Sequence, residues 1–127
     1  MNELTHELGI IALQSAKDLG EKIDNSIKAR RNTTDSFLIP IDEVRFSNGE
    51  GKAKLSDSVR GKDIYLLCDI GNYSCTYKMF GFIHNMGPDE HFQDIKRAVS
   101  AIRGKASRIT VIMPLLYESR QHRRKGR

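Results

Sequence analysis

Three short apolar runs constrain this chain more than any other feature. They are Gly9-Ile10-Ile11-Ala12-Leu13, Ile64-Tyr65-Leu66-Leu67-Cys68 and Ile109-Thr110-Val111-Ile112-Met113. None alternates apolar with polar residues, as a strand with one wet face would. Continuous apolar runs of this length suit strands covered on both faces, the situation of a parallel sheet sandwiched between helices. The connecting segments have the matching period. Ala16, Leu19, Ile23 and Ile27 recur at helical spacing among charged residues, and the pattern ends near Ala29-Arg30-Arg31-Asn32. A second helix opens at Gly87-Pro88-Asp89-Glu90, with proline at the first helical position and acids near the positive end of the dipole. Phe92, Ile95, Val99 and Ile102, flanked by Ala98 and Ala101, form its expected buried stripe, and Arg103-Gly104-Lys105 is its stop signal.

Strands alternating with helices predict an α/β domain of three layers around a mostly parallel sheet. Ser36-Phe37-Leu38-Ile39 reads as a further strand ended by Pro40. Around residues 44–55, two extended pieces flank Ser47-Asn48-Gly49-Glu50-Gly51, which predicts a small hairpin excursion. The stretch Tyr73 to Met86 mixes aromatics, methionine and glycine and has no decisive period. With 127 residues and no repeat, the chain fits one domain able to bury roughly two-thirds of the surface its unfolded form exposes.

Several function classes are disfavoured. The apolar runs are far short of the ~20 residues of a membrane-spanning helix, and the N-terminus has no basic leader region. Cys68 and Cys75 form neither a CxxC motif nor a disulfide framework, which suits a reducing compartment and a cytoplasmic location. Cys68 belongs to an apolar strand and is expected in the core, whereas Cys75 is expected to be exposed. Of the 21 Lys and Arg residues, five lie in Arg120–Arg127, which holds no acid. That leaves 16 bases against 16 acids in the rest of the chain. The high isoelectric point, near 9.4, therefore reflects one short basic end, and a nucleic-acid surface is not expected.

Sheets of this kind bind ligands at the carboxyl ends of their strands, and the basic end follows the third run directly. It reads first as a solvated tail. It also suits a polyphosphate, because guanidinium groups stay charged and offer forked donors to phosphate oxygens. Neither GxxxxGK[ST] nor GxGxxG is present, so any nucleotide would be held by another route. Phe46-Ser47-Asn48-Gly49-Glu50 reads first as a plain hairpin turn. It also puts an aromatic face, an amide and a carboxylate within reach of one purine. His84, Asp89 and His91 do not have the spacing of a zinc set. Met79, Phe80, Phe82 and Met86 read as packing residues or as a subunit contact.

At these loops the sequence resembles the N-terminal half of the ribose-phosphate pyrophosphokinases (PRPP synthetases). The matching stretches are Arg45-Phe46-Ser47-Asn48-Gly49-Glu50, Asp57-Ser58-Val59-Arg60-Gly61-Lys62-Asp63-Ile64, and Ile112-Met113-Pro114-Leu115-Leu116-Tyr117-Glu118-Ser119-Arg120-Gln121. The resemblance implies a phosphoribosyltransferase-like half and transfer of diphosphate from ATP to ribose 5-phosphate, giving PRPP and AMP with Mg²⁺. It assigns Phe46, Asn48 and Glu50 to the adenine and Arg120 and Gln121 to the ATP, often with the adenine turn serving a neighbouring subunit in a homo-oligomer. Ribose 5-phosphate, the catalytic groups and most metal ligands belong to a second half, so residues 1–127 are expected to be an N-terminal domain that is inactive alone. The chain departs from the family at His122 and Lys125, at Tyr117-Glu118, and by additional residues between Asp69 and Ala98. Those departures keep a second reading open, a non-catalytic homologue that binds nucleotide or regulates partner subunits.

Overall fold

A computed structural model describes residues 7–120. The three apolar runs form the strands β1 (Leu8–Ala12), β4 (Asp63–Leu67) and β7 (Arg108–Ile112). They make one parallel sheet in the order β1-β4-β7, with Ile10 opposite Tyr65 and Tyr65 opposite Thr110. After β1, a short 3₁₀ turn (Gln14–Ala16) leads into α1 (Lys17–Arg30). The chain then forms the antiparallel hairpin β2 (Ile41–Arg45) and β3 (Gly51–Leu55), which encloses the expected excursion and begins slightly before it. The second helix is α2 (Pro88–Ile102).

The two helices cover opposite faces of the sheet, and the two-residue period of the strands sorts the side chains between them. Ile10, Tyr65, Leu67 and Ile112 pack with Leu19, Ile23 and Ile27 of α1. Ile11, Ile64, Leu66 and Ile109 pack with Ile95, Ala98 and Ile102 of α2. Leu66 and Ile64 are wholly buried, each contributing about 2 kcal/mol by burial. This is the three-layer arrangement expected from the sequence. Gly20 allows the close approach of α1, since a Cβ there would lie only 2.6 Å from the Ala12 Cβ.

Two local expectations need correction. Ser36–Ile39 does not become a full strand, and makes a single parallel bridge between Leu38 and Ile10. The Phe37 amide donates to Asp24 Oδ1 and the Leu38 amide to Ser36 Oγ, while Pro40 has no N–H, so the segment cannot extend a ladder. The buried side of α2 keeps Ile95, Ala98 and Ile102 of the expected stripe but is turned slightly from Phe92 and Val99. His91, Asp94, Ile95, Ala98 and Ile102 are buried, while Phe92 and Val99 are half-buried. The rotation follows from polar partners on neighbouring elements, described below. Finally, the undecided stretch contains a second antiparallel hairpin, β5 (Thr76–Met79) and β6 (Phe82–Asn85).

Candidate functional site

The turn between β2 and β3 is closed by its own backbone. The Phe46 amide donates to the Glu50 carbonyl at 2.7 Å and the Gly49 amide to the Phe46 carbonyl at 2.9 Å. Gly49 has φ +99°, a conformation that favours glycine. Asn48 bridges the turn: its Oδ1 accepts from the Glu50 amide and its Nδ2 donates to Glu50 Oε1, both at 3.1 Å. The result is a rigid projection on which Phe46 is 48% exposed. Phe46, Asn48 and Glu50 thus share one small surface.

Arg45 fastens this turn to the domain. Its Nη1 donates to the Gly49 carbonyl at 3.0 Å, its Nη2 to Asp94 Oδ2 of α2 at 2.8 Å, and its guanidinium lies 4.7 Å from the centre of the Tyr77 ring. Asp94 Oδ1 also accepts from Arg97 at 2.6 Å, so this buried carboxylate carries two arginines. Tyr77 in turn donates to Glu90 at 2.6 Å, and Glu90 also accepts from the Gly87 amide and meets His84 Nε2. Burial alone would raise the Glu90 pKa, but these hydrogen bonds hold it below the usual carboxylate range. Arg45 was visible as part of the motif. Asp94 was not, because an acid beside a helical apolar stripe ordinarily faces water.

The loop leading to Arg120 is fastened to the same helix at another point. Tyr117 stacks on Phe92 with ring centres 4.2 Å apart, and its hydroxyl donates to Asp89 at 2.5 Å. The Asp89 acceptor, together with desolvation, pushes the Tyr117 pKa up to about 12. Arg120 is exposed and borders an open cleft of about 660 Å³, together with Tyr73, Pro88, Asp89 and Leu115. That cleft does not include Phe46, Asn48 or Glu50. The reason lies in α2: Asp89 and Asp94 are five residues apart, which on an α-helix turns their directions by about 140°. The structure therefore gathers the aromatic-amide-acid trio in one place and leaves Arg120 in another. Gln121 lies outside the described residues.

The weaker candidates resolve into structural roles. His91 is buried with Nε2 2.7 Å from the Asn72 carbonyl, His84 meets Glu90, and Asp89 accepts from Tyr117. Cys68 is wholly buried as expected, and burial raises its thiol pKa to about 11. Cys75 is not exposed as expected. It is buried in the wall of a polar cavity of about 190 Å³ beside Glu43, Arg45, Tyr77 and Asp94, and this burial, with carboxylates nearby, raises its pKa. Both thiols are thus unsuited to nucleophilic work. Among the described residues no group of three or more His, Cys, Asp or Glu is arranged to hold a metal ion, and no helix is long and apolar enough to cross a membrane.

A family model described as the N-terminal domain of ribose phosphate pyrophosphokinase matches residues 8–127. The chain belongs to this family. Its fold is similar to the crystal structure of phosphoribosylpyrophosphate synthetase from Mycobacterium smegmatis, with a TM-score of 0.61 and 19% identity. That match covers 92% of this chain and 33% of the other, so the chain spans about a third of that protein's length. At this identity the likeness concerns the fold. No curated protein matches the sequence significantly. The α/β architecture and the family membership inferred from three motifs therefore stand.

Proposed function

We propose that this domain is the ATP-binding N-terminal part of a ribose-phosphate pyrophosphokinase, an enzyme that transfers diphosphate from ATP to ribose 5-phosphate and releases PRPP and AMP. The observation that carries the reading is the turn at Phe46. Its exposed ring, its bridged Asn48–Glu50 pair and its Arg45 anchor make a preorganised platform that loses little conformational freedom when a planar base lands on it. Glu50 engages Asn48 through Oε1, which leaves Oε2 to accept an N–H from the base edge.

Arg120 and Gln121 serve the phosphates. A guanidinium there offsets charge on the polyphosphate as its β-phosphorus is attacked, and electrostatic stabilisation dominates phosphoryl transfer generally. The separation of Phe46 from the Arg120 cleft supports a site completed between chains, with the turn of one subunit serving ATP held by another in a cytoplasmic homo-oligomer. Mg²⁺ would enter with the nucleotide, held by its phosphates, since among the described residues no group of three or more His, Cys, Asp or Glu is arranged to hold a metal ion. Ribose 5-phosphate and the groups that activate its hydroxyl belong to a second half.

Calorimetric titration with Mg-ATP tests the reading. Phe46→Ala and Arg120→Ala should each weaken binding by about ten-fold, the scale of one lost base stack or one lost charged hydrogen bond. Unchanged affinity in both variants would refute it. The departures at His122 and Lys125 favour a second reading, a nucleotide-binding homologue without turnover. Assaying PRPP formation after adding a catalytically competent second half separates the two.

A further inference from the structure

The β5–β6 hairpin is the most conspicuous feature without a role in the reading above. It is only two strands, and such ribbons are marginal unless they pack on something. Its tip nevertheless leaves Phe80 70%, Phe82 78% and Ile83 72% exposed. The two-residue turn also breaks the usual chemistry. Phe80 has φ +50° and Gly81 φ +88°, and the first of these positions normally takes Asn, Asp or Gly. An aromatic ring held on a left-handed backbone at a solvent-facing tip costs stability, which folding alone does not explain.

The hairpin is docked against the Phe46 turn. The Phe80 amide donates to the Ser47 carbonyl at 2.9 Å, which brings the Phe80 backbone within one residue of Phe46. A Cβ at Gly49 would lie 3.2 Å from Met79 Sδ and 3.3 Å from the Tyr77 hydroxyl, so the turn rests directly on β5. Arg45 ties both pieces together through the Gly49 carbonyl and the Tyr77 ring.

We propose that Phe80 provides a second aromatic face for the planar base that lands on Phe46, so that the β5–β6 hairpin determines how tightly and how selectively the turn holds its nucleotide. The inference rests on the turn being a base-binding platform. Two exposed aromatic residues on adjoining turns, each fixed by backbone hydrogen bonds, form a stacking surface that favours any planar π-system over a bare phosphate chain. Ligand selectivity is therefore the property that the hairpin adds.

Phe80→Asn is the informative substitution, because asparagine tolerates the left-handed backbone while removing the ring. The variant should unfold in urea at the same concentration or higher, bind Mg-ATP about ten-fold more weakly, and bind tripolyphosphate with unchanged affinity. Phe80→Tyr should restore ATP binding. If Phe46→Ala weakens ATP binding and Phe80→Asn does not, the proposal fails while the turn reading survives. Should neither change matter, or the unaltered chain bind no ATP, the turn reading fails and takes the proposal with it. Equal weakening of ATP and tripolyphosphate overturns it as well. So does a change in sedimentation coefficient with ATP affinity unaltered, which would make the tip a contact between copies of the chain.

Discussion

Removing Asp94 should destabilise the domain more than removing the arginine that anchors the candidate site. The carboxylate is buried and accepts from Arg45 at 2.8 Å and from Arg97 at 2.6 Å. In Asp94→Ala both guanidiniums lose their counter-charge inside the fold, a situation that costs about 3–5 kcal/mol for buried pairs. Arg97 is the more exposed partner, with 20% of its side chain accessible against 14% for Arg45, and can turn toward water. Arg45 keeps the Gly49 carbonyl and the Tyr77 ring. The expected cost is therefore at the lower end, about 3 kcal/mol. In Arg45→Met the carboxylate still has Arg97, so the loss is one charged hydrogen bond and the turn anchor, about 2 kcal/mol. The double variant should fall short of the sum of the two by about 1 kcal/mol, because the shared bond is removed only once. Urea unfolding followed by circular dichroism gives all three values. An Asp94→Ala midpoint indistinguishable from the unaltered chain, or strict additivity in the double variant, would show that this ion cluster does not hold the turn.

Other expectations follow from the same contacts. Asp24 is buried, and although burial alone would raise its pKa, the Phe37 amide, the Ser36 hydroxyl and Lys28 hold it below the ordinary value. A depressed carboxyl stabilises the fold above its unfolded pKa of about 3.9, and that contribution is lost as pH falls through the folded value; Asp24→Asn should flatten this acid limb in urea midpoints measured against pH. Gly20→Ala should destabilise by about 1–2 kcal/mol, because forcing a Cβ against Ala12 outweighs the roughly 1 kcal/mol gain in helix propensity. Ala12→Gly in the same chain should recover part of that loss in thermal unfolding. In an ultraviolet titration one tyrosine should ionise only near pH 12, and Asp89→Asn should lower that step by replacing the charged acceptor of Tyr117 with a neutral amide.

Local signals made the elements of this protein legible, and the failures have identifiable causes. Gly87, Pro88 and Glu90 start α2 where their chemistry requires, and Asn32, at φ +55°, closes α1 after Arg31. Ile95, Ala98 and Ile102 of the expected α2 stripe are buried, but apolar period alone weighs Phe92 above His91, while the fold offers His91 a buried carbonyl and Asp94 two guanidiniums. Cys75, expected to be exposed, is a cavity wall, since its burial depends on Leu13, Glu43 and Asp94 arriving from elsewhere in the chain. The β5–β6 hairpin had no clear period because its tip residues, Phe80 and Phe82, are apolar and face solvent.

The order of residues by itself determined the parallel sheet, the two helices and the family, because strand runs, caps and the Arg45–Glu50 motif are read within a few positions of one another. Tertiary structure alone decided where the candidate groups stand. Phe46 and Arg120 are each tied to α2, but through Asp94 and Asp89, whose directions diverge by the helical twist, and so one chain presents two separate surfaces. Side-chain attachments between distant segments carry no periodic signature, and direction around a helix becomes meaningful only once its neighbours are in place.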